Sequence, residues 1–169
     1  TNKAWVSVWR SCPLYRSLVM DIKERLWAKT LLTAYPYLER AAEEADARLT
    51  DEAVSSWRSP LSAEDTCKRL MRIVAAKEGY INARVITNEC VARLPQKLGR
   101  ALKCRYFEML SYPVIARVAG VSERSVYNHM QRAEEAFAGA LVSRGYGVER
   151  LEELFGDNVF LKGVYNRLS

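Results

Sequence analysis

The chain has 169 residues, which is long enough for one domain or two small ones with a buried core. Hydrophobic residues make up 49% of the chain, so general disorder is excluded, and the formal net charge is +6. No apolar run approaches the length of a membrane span, and the N-terminal residues lack a signal-peptide pattern. We therefore expect a cytoplasmic protein without membrane contact.

Residue types suited to catalysis or metal binding are few and scattered. His129 is the only histidine, and the cysteines at 12, 67, 90 and 104 form no C-x-x-C pair, so we expect reduced thiols rather than a zinc site. The tandem acids at 43–44 and 134–135 would not face each other on a helix, because sequence neighbours point to different sides. A glycine-rich phosphate loop is also missing from the sequence. We therefore expect no enzyme, no cofactor and no metal.

The first part of the chain is predicted to be helical. Residues 1–12 leave two interpretations open, a strand-like or irregular lead and a first helical turn. From Pro13 to about Leu49 apolar residues recur every three or four positions, and we expect Pro36 to kink or break this helix because its ring clashes with the preceding turn. The pattern suits a helical hairpin within the fold, with a dimer seam as the alternative. The predicted apolar positions are Leu14, Leu18, Ile22, Leu26, Tyr35, Leu38, Ala42, Ala45 and Leu49.

Residues 50–62 are the best linker candidate, with a short helical turn followed by a break at Ser59-Pro60. Ser62 and the acids after it form a capping-box pattern, which predicts a new helix over 63–94. Gly79 costs such a helix about 1 kcal/mol and makes a break there plausible. The predicted apolar side of this helix consists of Cys67, Leu70, Val74, Ile81, Val85 and Val91.

Pro95 opens the next predicted helix, Pro95–Met109, with Leu98, Leu102 and Phe107 facing the core. Its basic residues Lys97, Arg100, Lys103 and Arg105 are expected to project outward. They could form an ordinary solvated face. A neighbouring helix-turn-helix would favour contacts with backbone phosphates instead.

Residues 111–141 have the pattern of a helix-turn-helix. Ser111 is a candidate N-cap whose hydroxyl would accept a backbone hydrogen bond, and Pro113 fits the first turn, where a missing N–H costs nothing. Gly120 stands where a helix ends with a positive φ. Ser122 then caps the second helix. The residues predicted to pack the motif inward are Val114, Ile115, Val118, Val121, Val126, Met130, Ala133 and Phe137.

The C-terminal residues are predicted to form two short helices. We expect the second helix of the motif to end at Gly145-Tyr146-Gly147. A short helix is predicted over Val148–Phe155, ending at Gly156, and a terminal helix is predicted over Val159–Leu168. These helices could dock a partner, but we expect them to pack back on the domain, because isolated short helices are marginal in water. No alternating strand pattern occurs, so the fold class is all-α.

The stretch from Leu94 to Leu141 resembles region 4 of bacterial sigma factors, in the extracytoplasmic-function style. Pro113 departs from the family pattern, which usually has an acidic residue there. Phage late-transcription regulators of the ArpU type and some phage antitermination proteins are similar, because they carry such a module behind a helical N-terminal part. The matching elements are Leu94-Pro95, Leu102, Arg105-Tyr106-Phe107, Leu110-Ser111-Tyr112, Ile115-Ala116, Gly120-Val121-Ser122, Ser125-Val126 and Arg132-Ala133.

This resemblance implies three parts: a helical N-terminal stem (1–60), a sigma region 4-like helix-turn-helix domain (61–144) and a C-terminal helical tail (145–169). Residues 1–60 lack the aromatic and basic cluster of a promoter-melting region, so we do not expect a full sigma factor. The implied function is sequence-specific DNA binding by a transcription regulator of phage or prophage origin. An RNA polymerase-binding antitermination or sigma-like factor is the alternative.

Charge supports double-stranded DNA as the partner, with a nucleoid-associated location. Residues 93–132 hold eight basic and two acidic side chains, while the rest of the chain carries 18 of each, so the excess charge lies in this segment. RNA polymerase as a direct partner and a homodimer both stay open. The predicted base-contacting residues are Glu123, Arg124, Tyr127, Asn128 and Gln131. The predicted backbone-contacting residues are Arg100, Lys103, Arg117, Ser122 and Arg132.

Overall fold

The computed structural model describes residues 21–58 and 62–169, and this part of the chain contains helices and no strand. The all-α prediction is therefore confirmed for these residues. None of the described helices combines the length and the apolarity that crossing a bilayer requires. The helices are α1 (Ile22–Ser55), a 3-10 turn (Ser56–Arg58), α2 (Ala63–Ala92), α3 (Gln96–Leu102), a π-helix (Lys103–Phe107), α4 (Tyr112–Ala119), α5 (Glu123–Ser143), α6 (Val148–Phe155) and α7 (Val159–Leu168).

Helix α1 begins at a capping box and runs for 34 residues. Asp21 is the N-cap, its side chain accepts from the N–H of Lys23, and Glu24 completes the box. The helix continues through Pro36, so a break there is wrong, while the kink stays a prediction. A proline inside a helix costs about 3 kcal/mol, and the buried side chains on both sides of it offset that cost. Ile22 is exposed, although it was predicted to lie on the apolar face of this helix. The predicted apolar positions 14 and 18 lie outside the described residues.

Helices α1 and α2 form an antiparallel hairpin, which confirms the first of the two interpretations of the stem. The Tyr35 hydroxyl donates to Asn88 Oδ1 over 2.8 Å near one end of the pair. Ion pairs continue toward the end of the hairpin at which the described residues stop at 58 and resume at 62. The expected break at residues 59–60 therefore lies outside the described residues. The ion pairs are Arg84–Glu39, Lys77–Asp46 and Arg69–Glu52.

The buried face of α2 differs from the predicted one. Ser62 caps the helix as expected, with its Oγ accepting from the N–H of Asp65 over 3.1 Å, and no break occurs at Gly79. However, Val74, Ile81 and Val85 are exposed. The error arose because two faces of α2 carry small or apolar residues, and the prediction followed the face of Val74, Ile81 and Val85. The buried residues are Gly79, Ala83, Ile86, Thr87, Cys90 and Val91.

One core joins the stem, the helix-turn-helix and the C-terminal helices. Trp27 of α1 is fully buried in this core, with its ring 4.7 Å from Tyr165 and 6.3 Å from Phe155. The Trp27 indole N–H donates to Glu152 Oε1, and Lys162 Nζ donates to the same carboxylate. The C-terminal helices therefore pack back on the domain, as expected. The division at residues 60 and 144 stays a prediction.

Candidate nucleic-acid interface

The turn of the motif has the predicted backbone geometry. Gly120 ends α4 in the left-handed region with φ +66°, and the N–H of Val121 donates to the carbonyl of Ala116. Ser122 caps α5, with its Oγ accepting from the N–H of Ser125 over 3.2 Å. Ser111 occupies the N-cap of α4, but its side chain makes no capping hydrogen bond there. The expected role of the Ser111 hydroxyl is therefore wrong, while its position is right.

Helix α4 presents a different side to the core than its apolar spacing predicted. Ala116 is buried and Ile115 half-buried, whereas Val114 and Val121 are exposed and Val118 is 76% exposed. This helix has only eight residues and packs on α5 and the π-helix along one narrow edge. Its valines are therefore left on the surface, and Val121 does not pin the turn to the core.

Helix α5 packs against the rest of the fold through one continuous buried face. Val126, Met130, Ala133 and Phe137 are buried, as predicted, and Leu141 extends this face one turn further. Its second half lies in the same core as α1 and α2. Since a packed helix positions its side chains more firmly than a loop does, the first half of α5 is a rigid support.

The opposite side of α5 is open to solvent. The five residues predicted to contact base edges are exposed on this side, and the five residues predicted to contact the DNA backbone are exposed as well. An open depression of about 500 Å³ lies at the N-terminal end of the helix. It is lined by Tyr112, Glu123, Arg124, Tyr127 and Asn128. The structure thus brings four of the five predicted base-contacting residues to one concave surface, and it places Gln131 one turn further along α5.

A row of contacts that the sequence did not reveal supports this surface. Arg105 Nη1 donates to the carbonyl of Leu110 over 3.0 Å, and its guanidinium lies 4.9 Å from the centre of the Tyr112 ring. Tyr112 meets Tyr127 edge to face at 6.2 Å, and Gln131 Nε2 donates to the Tyr127 hydroxyl. Arg105 is therefore half-buried and does not project outward as expected. Its neighbours Lys97, Arg100 and Lys103 are exposed.

The helix before the motif ends differently from the prediction of one helix over Pro95–Met109. Helix α3 stops at Leu102 and a π-helix continues to Phe107, followed by Met109 with φ +54°. The wider turn lets Phe107 stack on Tyr35 at 3.6 Å and lets the Tyr106 hydroxyl donate to Glu134 Oε1 over 2.6 Å. Burial, then this hydrogen bond, raises the pKa of Tyr106. Tertiary contacts to α1 and α5 accompany this local geometry.

This surface lies within a segment that matches a known family model. Residues 84–137 match the family model described as sigma-70, region 4. This segment is sigma region 4-like. The match covers less than half of the chain, from the second half of α2 to the second half of α5. No curated protein and no solved structure matches the chain. A region 4 segment indicates DNA-binding transcription regulation, with RNA polymerase as a further contact of such segments.

The region 4-like segment also contains basic side chains that pair with no acid of the described chain. Every ion pair between described residues uses a basic side chain outside residues 93–132. A cation that has no intramolecular partner keeps its full attraction for an external anion. The exposed members of this set are Arg93, Lys97, Arg100, Lys103, Arg117, Arg124 and Arg132.

Proposed function

We propose that the chain is a sequence-specific DNA-binding transcription regulator of phage or prophage origin, with the first half of α5 in the major groove. Arg124 pairs with guanine, Asn128 and Gln131 pair with adenine, and these pairings suit the donor and acceptor pattern of the groove. Glu123 accepts from a cytosine amine, and Tyr127 packs on a sugar or a thymine methyl. The resemblance of the module to phage late-transcription regulators supports the phage origin.

The backbone contacts surround this helix. Arg100, Lys103, Arg117 and Arg132 bind phosphates, which position the protein without reading sequence. Ser122 Oγ already accepts a hydrogen bond from Ser125. Its hydroxyl hydrogen therefore remains free to donate to a phosphate oxygen.

One observation carries this proposal: the polar face of α5 is exposed beside basic side chains that form no ion pair with described residues. A solvated surface with no binding role would more commonly mix both signs of charge, as the α1–α2 hairpin does. Because each phosphate contact releases a counterion, this arrangement favours a polyanion with regularly spaced charges.

Selection from a random duplex library followed by titration tests the proposal. Asn128→Ala should relax the preference at one base pair, with a loss of about 1–3 kcal/mol of discrimination there. Arg100→Ala should weaken binding to all sequences alike and reduce the salt slope by about 1. Arg72→Ala, an exposed arginine of α2, serves as the control and should change neither. An equal loss on all sequences for both Asn128→Ala and Arg100→Ala would contradict the assignment.

A second function is favoured by the exposed apolar side chains of the motif. Met109, Val114, Val118 and Val121 lie on α4 and at its two ends, and all four are exposed. In this alternative they contact RNA polymerase, and DNA contact is weak or limited to one half-site. The chain would then be an antitermination or sigma-like factor.

A gel shift with late-promoter DNA, first without and then with polymerase, separates the two functions. A shift without polymerase supports the regulator, while a shift that requires polymerase supports the second function. Val118→Glu sharpens the comparison, because this side chain is 76% exposed and its replacement should not disturb folding. Under the second function this variant loses the polymerase-dependent shift, whereas under the first it keeps the shift on naked DNA.

A further inference from the structure

Helix α2 carries an uncovered apolar stripe on the side facing away from the core. Its members are Met71, Val74, Ile81 and Val85, with exposures of 70%, 39%, 44% and 48%. Together with position 78 they alternate at intervals of three and four, the spacing of a coiled-coil seam. At 100° per residue this stripe lies opposite the buried residues Ala83 and Cys90. All four side chains remain exposed in the described part of the chain.

The outer hairpin, residues 46–57 of α1 and 62–78 of α2, has no buried side chain of its own. Between its two helices it is held by the ion pairs Lys77–Asp46 and Arg69–Glu52, which are partly exposed. Such pairs contribute about 0–1 kcal/mol each, and the apolar side chains Leu49, Leu70 and Ile73 are only half-buried there. Burying the stripe would therefore supply stabilisation that the described chain does not provide for this region.

Charges beside the α2 stripe indicate which occupant fits. Lys77 and Arg84 lie along one flank, whereas Lys68 and Glu89 lie along the other. If two copies of α2 pack in parallel, the opposite flanks meet, so Arg84 lies beside Glu89 of the other copy. Arg84 also pairs with Glu39, and Glu89 with Arg144, so four charges of alternating sign would form one network. An antiparallel pair would instead bring the basic flanks together.

We propose that α2 is the seam of a parallel homodimer, in which the α2 stripe packs against the same stripe of a second copy. Glu78 is the one charged residue within the stripe, and it weakens the seam because the two carboxylates face each other. The parallel arrangement places both region 4-like segments at the same end of the dimer. That placement suits two half-sites on one duplex, but the association itself does not depend on DNA binding.

Sedimentation of the full chain tests the association. The chain has a mass of 19.3 kDa, and we expect a species of twice that mass at micromolar concentration. Ile81→Glu/Val85→Glu should give a monomer with unchanged helicity, because both side chains are exposed in the single chain. Val159→Glu is the matched control, since Val159 is 88% exposed on α7, and it should remain dimeric. Glu78→Leu should lower the dimer dissociation constant at least about tenfold, because a desolvated like-charge pair is removed.

Oxidative cross-linking tests the orientation. Cys67 extends the seam spacing by one position and is exposed. In a parallel pair the two Cys67 side chains are adjacent, so diamide should produce a disulfide-linked dimer in a Cys12→Ser background. Cys67→Ser should abolish that dimer, and Cys104→Ser should leave it unchanged. A dimer that Cys67 cannot link would overturn the parallel seam.

A full chain that stays monomeric at all accessible concentrations would overturn the proposal. If that monomer is also destabilised by Ile81→Glu/Val85→Glu more than by Val159→Glu, another part of the same chain covers the stripe. A dimer unaffected by the stripe substitutions would place the interface elsewhere, and it would equally refute the seam. Failure of the dimer to bind DNA would count against the proposed function and leave the seam intact.

Discussion

Replacing Gly79 by alanine should destabilise the protein, although helix propensity alone predicts the opposite. Gly79 lies in the middle of α2, and a Cβ there would stand 2.7 Å from Asn158 Nδ2. That amide donates to the carbonyl of Ala76 over 3.2 Å, and Asn158 Oδ1 accepts from the N–H of Leu161, capping α7. The substitution must therefore displace a buried side chain that connects the first half of the chain to its last helix.

The net effect follows from three contributions. Alanine in a helix interior gains about 1 kcal/mol over glycine. Losing the Asn158 cap costs about 1 kcal/mol, and leaving its buried amide without a partner costs about 1–3 kcal/mol. We therefore expect a net loss of about 1–3 kcal/mol in the free energy of unfolding. For a chain of this length that corresponds to a fall in Tm of about 2–4 °C per kcal/mol.

Urea unfolding followed by far-UV circular dichroism measures this difference. Gly139→Ala is the matched control, because Gly139 lies inside α5 and an added Cβ would meet nothing within 4 Å. That control should stabilise the protein by about 1 kcal/mol. In an Asn158→Ala background Gly79→Ala should no longer be destabilising. If Gly79→Ala stabilises the wild-type chain as much as the control does, the contact with Asn158 has no energetic weight.

Three further substitutions probe other contacts. Tyr106 donates to Glu134, and burial raises the pKa of Tyr106, so the stability of the wild-type chain should fall as the pH rises above 10. The stability of Tyr106→Phe should depend less on pH in urea titrations from pH 8 to 11. The hydrogen bond from Lys162 lowers the pKa of Glu152, so the ionised carboxylate stabilises the fold above pH 4.5 and this stabilisation is lost below it. Glu152→Gln should therefore be less stable at neutral pH, and its free energy of unfolding should change less on acid titration. Gly120→Ala, at φ +66°, should cost about 1–2 kcal/mol by thermal unfolding.

The starts and ends of several helices could be predicted from the sequence alone. Ser62 and Ser122 begin helices, Gly120 ends one with a positive φ, and α6 and α7 have the predicted bounds. These features depend on hydrogen bonds and steric limits within a few residues, so the neighbouring sequence is sufficient. The inward face of α5 was also predictable, because its apolar residues keep one helical period over about three turns.

The errors on α2 and α4 share one cause, which is that periodicity identifies the apolar sides of a helix but not which of them is covered. For α2 the predicted side is mostly the uncovered stripe, while the core takes Gly79, Ala83 and Thr87 together with Ile86, Cys90 and Val91. Asn158 approaches closely at Gly79. For α4 the valines point outward because the helix is short. The contacts of Arg105 and Tyr112 with α5 were similarly hidden, since a π-helix cannot be recognised from local spacing.

By itself the sequence determined the helical class, the position of the turn and the concentration of positive charge in residues 93–132, because each depends on composition or short-range geometry. Only the tertiary structure decided that Pro36 lies inside an unbroken helix and that Arg105 supports Tyr112 rather than facing solvent. It also decided which side of α2 is left free. These outcomes depend on which surfaces meet across long sequence separations, and the free energy of such contacts is large enough to override local preference.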